Sequence, residues 1–271
     1  MKRLLVSLLL LAASLGAHAS GGGSSPPPWQ PSNTKKLLFA YNKSMQTYER
    51  VCWARTSDWK YCKSSPASYA TEMQDYLNWI FEKQQINLKV VGSGVGLPVT
   101  IPPRWYGNHW EYLNAIKNAH GADYLLLVDP HFSEGRTGSC APGHVICWFS
   151  DENVFWRHPP KRYMAHEFGH MLYLDHWNHS VYPPPAPRKA YAAGHGTGSW
   201  VDIMHYPGWH GKGLIQHDIY SDHEHWCGFE RCGVQNHASA GQFLREFWGR
   251  YTRQSSAPPK RDNGHPGHGR H

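Results

Sequence analysis

Past its first fifteen residues the chain has no apolar run long enough to cross a bilayer, which argues against a membrane-spanning protein. It also lacks an internal repeat and an interior linker, leaving one medium-sized domain rather than an array. No loop spells out a calcium site, so calcium is not assigned. There is no basic stripe interleaved with aromatics, which removes nucleic acid from the partners that a formal charge of +7 suggests. The positive residues are scattered or gathered at the termini, and they read as the solubility charge of an exported protein.

What is present at the start fixes the expected compartment. Lys2 and Arg3 precede an apolar run over 4–15, and Ala17-His18-Ala19 is a small-x-small cleavage site. Residues 1–19 therefore read as a secretory signal peptide, too short for a transmembrane span. No cysteine follows the apolar run, so a lipoprotein anchor is not expected. The mature chain should begin near Ser20 and be secreted, to the periplasm or the exterior.

Six cysteines suit an oxidising destination. They fall as sequence-close pairs, Cys52 with Cys62, Cys140 with Cys147, and Cys227 with Cys232. Disulfides between near neighbours are the favoured reading, although six cysteines allow about 15 connectivities. The rival is a second zinc held by Cys227 and Cys232 with His223 or His225. Residues 20–33 are a Gly/Ser/Pro-rich lead-in, and 254–271 a disordered, basic, His-rich tail. Residues 34–253, roughly 220 in number, are enough to bury a core as one domain.

The segment His166-Glu167-Phe168-Gly169-His170-Met171-Leu172-Tyr173-Leu174-Asp175-His176 carries the chemistry. Residues four apart share a face of an α-helix, so His166 and His170 can offer two imidazoles to one ion. Glu167 is placed to hold a carboxylate against water activated there. Six residues beyond His170 lie about 240° around a helix, on the wrong face. His176 can join only if the helix ends just after His170 and the chain turns back.

This string resembles the extended HExxHxxGxxH motif of the metzincin zinc endopeptidases, closest to its matrixin version. Asp202-Ile203-Met204-His205-Tyr206 is similar to the clan's Met-turn in its Met-x-Tyr form. The resemblance implies one catalytic Zn²⁺ on His166, His170 and His176, with Glu167 as general base. It implies that Met204 packs beneath the histidines and that Tyr206 donates a hydrogen bond to the developing oxyanion. No cysteine-switch segment of the matrixin kind is recognisable, so that latency device is not expected.

One position departs from the family pattern. Tyr173 stands where the motif has the glycine that lets the backbone turn. Either Tyr173 accepts a left-handed conformation, unusual for a bulky residue, or the turn is built differently. The third ligand is then His176, which matches the motif spacing, or Asp175, His179 or the distant Glu224.

A coarse pass places this site on a scaffold. Strands are expected at 36–41, 86–91 (broken by Gly92, Gly94 and Gly96), 124–128 and 144–149, the last at a sheet edge. Helices are expected at 67–84, 108–119, 161–174 and 238–251. The order indicates an α/β (α+β) fold, a twisted and mostly parallel sheet packed on helices, with an irregular C-terminal part ending in a helix. By resemblance, strand 144–149 aligns an extended substrate by β-augmentation.

The function expected is that of a secreted zinc endopeptidase, a monomer acting on protein or peptide substrates. The alternatives are a zinc amidase acting on peptidoglycan peptides, and a non-catalytic zinc-stabilised module binding envelope or carbohydrate. The cluster His217, Asp218, Asp222, His223, Glu224, His225 reads as a solvated polar loop, with a second metal site as its rival.

Overall fold

Residues 37–41 and 124–128 are apolar at every position, and such runs suit strands covered on both faces. Both lie inside the sheet in the computed structural model, which describes residues 29–43, 66–101, 108–129, 138–150, 160–176, 187–197, 200–205 and 215–251. The expected signal segment, Cys52, Cys62, His179, Tyr206 and the residues after 251 lie outside the described residues.

The main sheet is built from β1 (Asn33–Tyr41), β2 (Leu88–Gly96), β3 (Tyr124–Asp129), β4 (Gly138–Ser139) and β5 (Ile146–Ser150), in the spatial order β2-β1-β3-β5-β4. All neighbours are parallel except β4 with β5. Among the described residues, two short strand pairings, β6 (Trp200–Val201) with β7 (Ile215–Gln216) and β8 (Trp226–Cys227) with β9 (Glu230–Arg231), together with isolated bridges, tie down the second half of the chain. The four helices among the described residues are α1 (Pro66–Lys83), α2 (Trp110–Ala119), α3 (Pro160–Met171) and α4 (Ala240–Trp248). This is the mixed α/β arrangement expected, and among the described residues no helix is long and apolar enough to cross a membrane.

Strand alternation divides the core in two. Leu37, Phe39, Leu126, Val128, Cys147 and Phe149 face α1, α3 and α4, where Leu77, Phe81, Phe168 and Phe243 are fully or almost fully buried. Leu38, Ala40, Leu125, Leu127, Ile146 and Trp148 face α2 through Leu113. The sheet is thus sandwiched between helical layers.

Two expectations about strands are corrected. The glycines after Val91 do not end β2, which runs on through Gly92 and Gly94 to Gly96. A Cβ on Gly92 would stand 2.8 Å from the Ala70 carbonyl oxygen, so glycine there lets α1 lie close on the strand. Gln74 accepts from the Gly92 N–H at 2.9 Å, and Asn78 accepts from and donates to Val90, so α1 covers that edge. The other correction concerns β5, which is not the edge strand. Gly138 and Ser139 pair outside it, opposite Phe149 and Trp148, in a strand too short to leave a periodic signal.

Candidate metal centre

Helix α3 begins at Pro160, where a missing N–H is harmless, and ends one residue after His170. The ending is a Schellman motif: Tyr173 N–H donates to the His170 carbonyl at 2.9 Å and Leu174 N–H to the Gly169 carbonyl at 2.9 Å. That motif needs a left-handed residue at its turn, and Tyr173 supplies it with φ +69°. A tyrosine there costs on the order of 1–2 kcal/mol relative to the right-handed region. The chain accepts this cost, and His176 returns to the helix as a result.

The three imidazoles converge. His176 Nε2 lies 2.9 Å from His166 Nε2 and 3.0 Å from His170 Nε2. Nitrogens at about 2.0–2.1 Å from one tetrahedral ion stand roughly 3.3 Å apart, close to what is observed. The remaining ring nitrogens fix the tautomers. His166 Nδ1 lies 2.8 Å from the Ile203 carbonyl and His170 Nδ1 2.8 Å from the Leu174 carbonyl. A carbonyl only accepts, so both Nδ1 atoms carry the proton and both Nε2 lone pairs face inward. Burial pushes the proton affinity of His166 well below that of an ordinary histidine, helped by the neighbouring His170 and His176. Burial does the same for His170. Facing lone pairs on neutral rings repel unless a cation or a proton sits between them, and the set fits a metal ion. Among the described residues, these three form the group with metal-binding geometry.

The rival ligands are otherwise engaged. Asp175 accepts from the His176 N–H at 2.8 Å and pairs with Arg188. Glu224 is bound by Arg250 and Arg245. Asp175 therefore positions the third histidine from behind.

Glu167 is buried, and its Oε2 has no hydrogen-bond partner among the described residues. Burial raises its proton affinity well above that of an ordinary glutamate. An orphaned buried carboxylate is costly unless a ligand or reactant meets it, which makes this atom a candidate for a functional role. Its other oxygen lies against β4, where a Cβ on Gly138 would stand 2.1 Å from Oε1.

Met204 is fully buried under α3, and a Cβ on Gly169 would stand 2.4 Å from its sulfur. The turn that carries it is tied down by Asp202, which accepts N–H groups from His195 (3.1 Å), His205 (2.8 Å) and Ser221 (2.7 Å). Buried Arg162 of α3 donates to the carbonyls of Val201, Asp202 and His217, joining helix and turn directly. Sequence reasoning missed Arg162 and Gly138, and it gave no role to Asp202 or to the tautomer-setting carbonyls of Ile203 and Leu174, although the motifs contain them. Only the placement of Arg162 four residues before His166, on the same helix face, offered a signal.

Cys140 is disulfide-bonded to Cys147, and Cys227 to Cys232. The latter bond removes the second zinc set built on those thiols. Within the polar cluster Glu224 is exposed, as a solvated loop requires, but Asp222 departs from that expectation. Asp222 is fully buried and receives Arg245, Gln84 and His225, which locks α4 to the end of α1.

No family profile and no curated protein matches the chain. Among solved structures it is similar to one described as "Structure of a chaperone-substrate complex", with TM-score 0.56 and 15% identity over 81% of this chain and 34% of that one. The chain thus spans about a third of that protein's length. The likeness is one of fold, a mixed α/β arrangement around a mostly parallel sheet.

Proposed function

We propose that the chain is an exported zinc endopeptidase of the metzincin type. The observation that carries this reading is the helix end. A left-handed turn at Tyr173 brings His176 Nε2 to 2.9 and 3.0 Å from the two helical histidines, next to a buried glutamate whose Oε2 has no hydrogen-bond partner among the described residues. Three neutral imidazoles suit zinc, and three protein ligands leave a tetrahedral ion one position for water or substrate. The two disulfides among the described residues suit an oxidising compartment.

Bound there, zinc would lower the pKa of water from 15.7 toward about 7 and polarise a peptide carbonyl. Glu167 takes the proton from the attacking water and passes it to the leaving amine. Burial, which raises its proton affinity, suits a carboxylate that must hold a proton between two steps. The Ile203 and Leu174 carbonyls keep the His166 and His170 imidazoles in place and in the required tautomers, and Asp175 holds the backbone N–H of His176. Tyr206 is the proposed donor to the developing oxyanion. Strand β4, beside Glu167, takes over from β5 as the edge proposed to align an extended substrate.

The test compares casein and peptidoglycan as substrates for the wild type and Glu167→Ala. Casein cleavage that falls by about 10²–10⁴-fold in Glu167→Ala supports the reading. Cleavage confined to cell-wall peptides would replace it with the amidase reading, and cleavage unaffected by the substitution would remove Glu167 from the mechanism.

A further inference from the structure

The turn after His170 is a position where glycine is the usual occupant, because it alone takes φ > 0 without a steric penalty. This chain has a tyrosine there, and its glycine is elsewhere. Gly143 has φ +82° and sits on the disulfide-closed loop 140–147. A Cβ on Gly143 would stand 2.4 Å from Tyr173 Cε1 and 2.8 Å from Cδ1, so the ring lies directly against the Gly143 backbone. Gly143 N–H donates to the His170 carbonyl at 2.8 Å, the same oxygen that accepts the Tyr173 N–H at 2.9 Å. The loop thus grips the helix end twice, through a backbone hydrogen bond and through the tyrosine ring.

The loop is itself anchored. Cys147 belongs to β5 and pairs in register with Leu126, so the disulfide fastens Cys140 to the sheet. On its far side the Tyr173 ring approaches Phe247 of α4, with centroids 6.0 Å apart. What lies immediately downstream of Tyr173 orients the ligands. The Leu174 carbonyl takes the His170 Nδ1 proton, and His176 follows two residues later.

We infer that Gly143 and Tyr173 form one positioning unit for the metal site, in which the disulfide-closed loop holds the left-handed turn that brings in His176. Neither residue touches the ion. Both act through His170 and His176. The inference rests on the metal reading of the histidine triad but not on any catalytic activity. A tyrosine that is merely tolerated at this turn predicts the opposite behaviour, since exchange for glycine would then relieve strain and leave metal binding intact.

The test is a double-mutant cycle on zinc affinity in the full chain, with the melting temperature of the metal-free proteins as a second readout. Gly143→Ala carries its own positive-φ strain, but that term is common to both backgrounds and cancels in the cycle. The expected result is at least a tenfold loss of zinc affinity from Gly143→Ala in the wild-type background, and less than a threefold loss in the Tyr173→Gly background. Equal losses in the two backgrounds would overturn the inference. If Gly143→Ala does not fold, Tyr173→Ala decides, because it removes the ring while keeping an L-residue at the turn. Weakened zinc binding there, with Tyr173→Phe close to wild type, supports the unit, and wild-type affinity in Tyr173→Ala overturns it. A wild-type chain that binds no zinc at all would instead sink the metal reading, and hydrolysis enters neither outcome.

Discussion

Gly138 has no side chain where Glu167 needs the space: a Cβ there would lie 2.1 Å from Oε1, 2.5 Å from Cδ and 2.9 Å from Cγ of the glutamate. The whole end of the side chain is in contact, and it is the flexible partner, so the fold can survive the clash by swinging the carboxylate away. Gly138→Ala should therefore retain zinc at wild-type stoichiometry yet lose proteolysis on the order of 10²-fold, the cost of a misplaced catalytic group. Metal analysis and kcat on the same preparation check this. Wild-type turnover in Gly138→Ala would show that the strand does not seat the base.

Gly92 makes a different kind of contact, with a backbone that cannot swing. Placing a methyl 2.8 Å from the Ala70 carbonyl oxygen forces α1 away from β2. Gly92→Ala should destabilise the chain by about 1–3 kcal/mol, the usual cost of overpacking. A denaturant midpoint equal to wild type would contradict the close packing of helix on strand.

The buried pair of Asp222 and Arg245 predicts a pH dependence. Burial acts to raise the Asp222 pKa, but the hydrogen bonds from Arg245 and His225 and the Arg245 charge outweigh it and hold the carboxyl below the usual carboxylate range. A depressed folded-state pKa gives stability that is present above the unfolded value of about 3.9 and is lost as pH falls below it. His225 is shifted the other way, chiefly by its hydrogen bond to Asp222. Its contribution is full below the unfolded value of about 6.5 and is lost as pH rises through the raised folded-state value. Asp222→Asn should cost about 3–5 kcal/mol by leaving Arg245 buried without its counter-charge. It should also flatten both pH limbs, which urea midpoints measured across the acid and neutral range will show.

Metal should stabilise as well as activate. Zinc at 100 times its Kd adds about 2.7 kcal/mol to a fold that binds it only when native. Chelation should lower the melting temperature of the wild type, and His176→Ala should abolish most of that difference. A His176→Ala protein that melts and responds to zinc like the wild type would remove the third ligand.

Much of this architecture was legible because its signals are periodic. The apolar runs at 37–41 and 124–128 announced buried strands, and Met73, Leu77, Ile80 and Phe81 announced the inner face of α1. The spacing of His166, His170 and His176 required the helix to stop soon after His170, and it stops at Met171, three residues short of the expected 161–174. Features that depend on distant partners were not legible. Glycines 92, 94 and 96 look like a break in isolation and become a strand because α1 packs tightly over Gly92. Two-residue β4 carries no pattern at all, so the sequence alone puts β5 at the edge. Asp222 looks solvated until Arg245, 23 residues away, closes over it. The conflict at Tyr173 was visible as a question, and its answer lay 30 residues upstream, at Gly143.

Bound zinc and protein hydrolysis, measured on matched preparations of the wild type and Glu167→Ala, decide whether the histidine triad serves catalysis. One zinc per chain is expected in both proteins, with proteolysis in the wild type and almost none in the variant. Zinc in both, with hydrolysis in neither on any protein or cell-wall substrate, would contradict the enzymatic claim and leave a metal-supported binding domain.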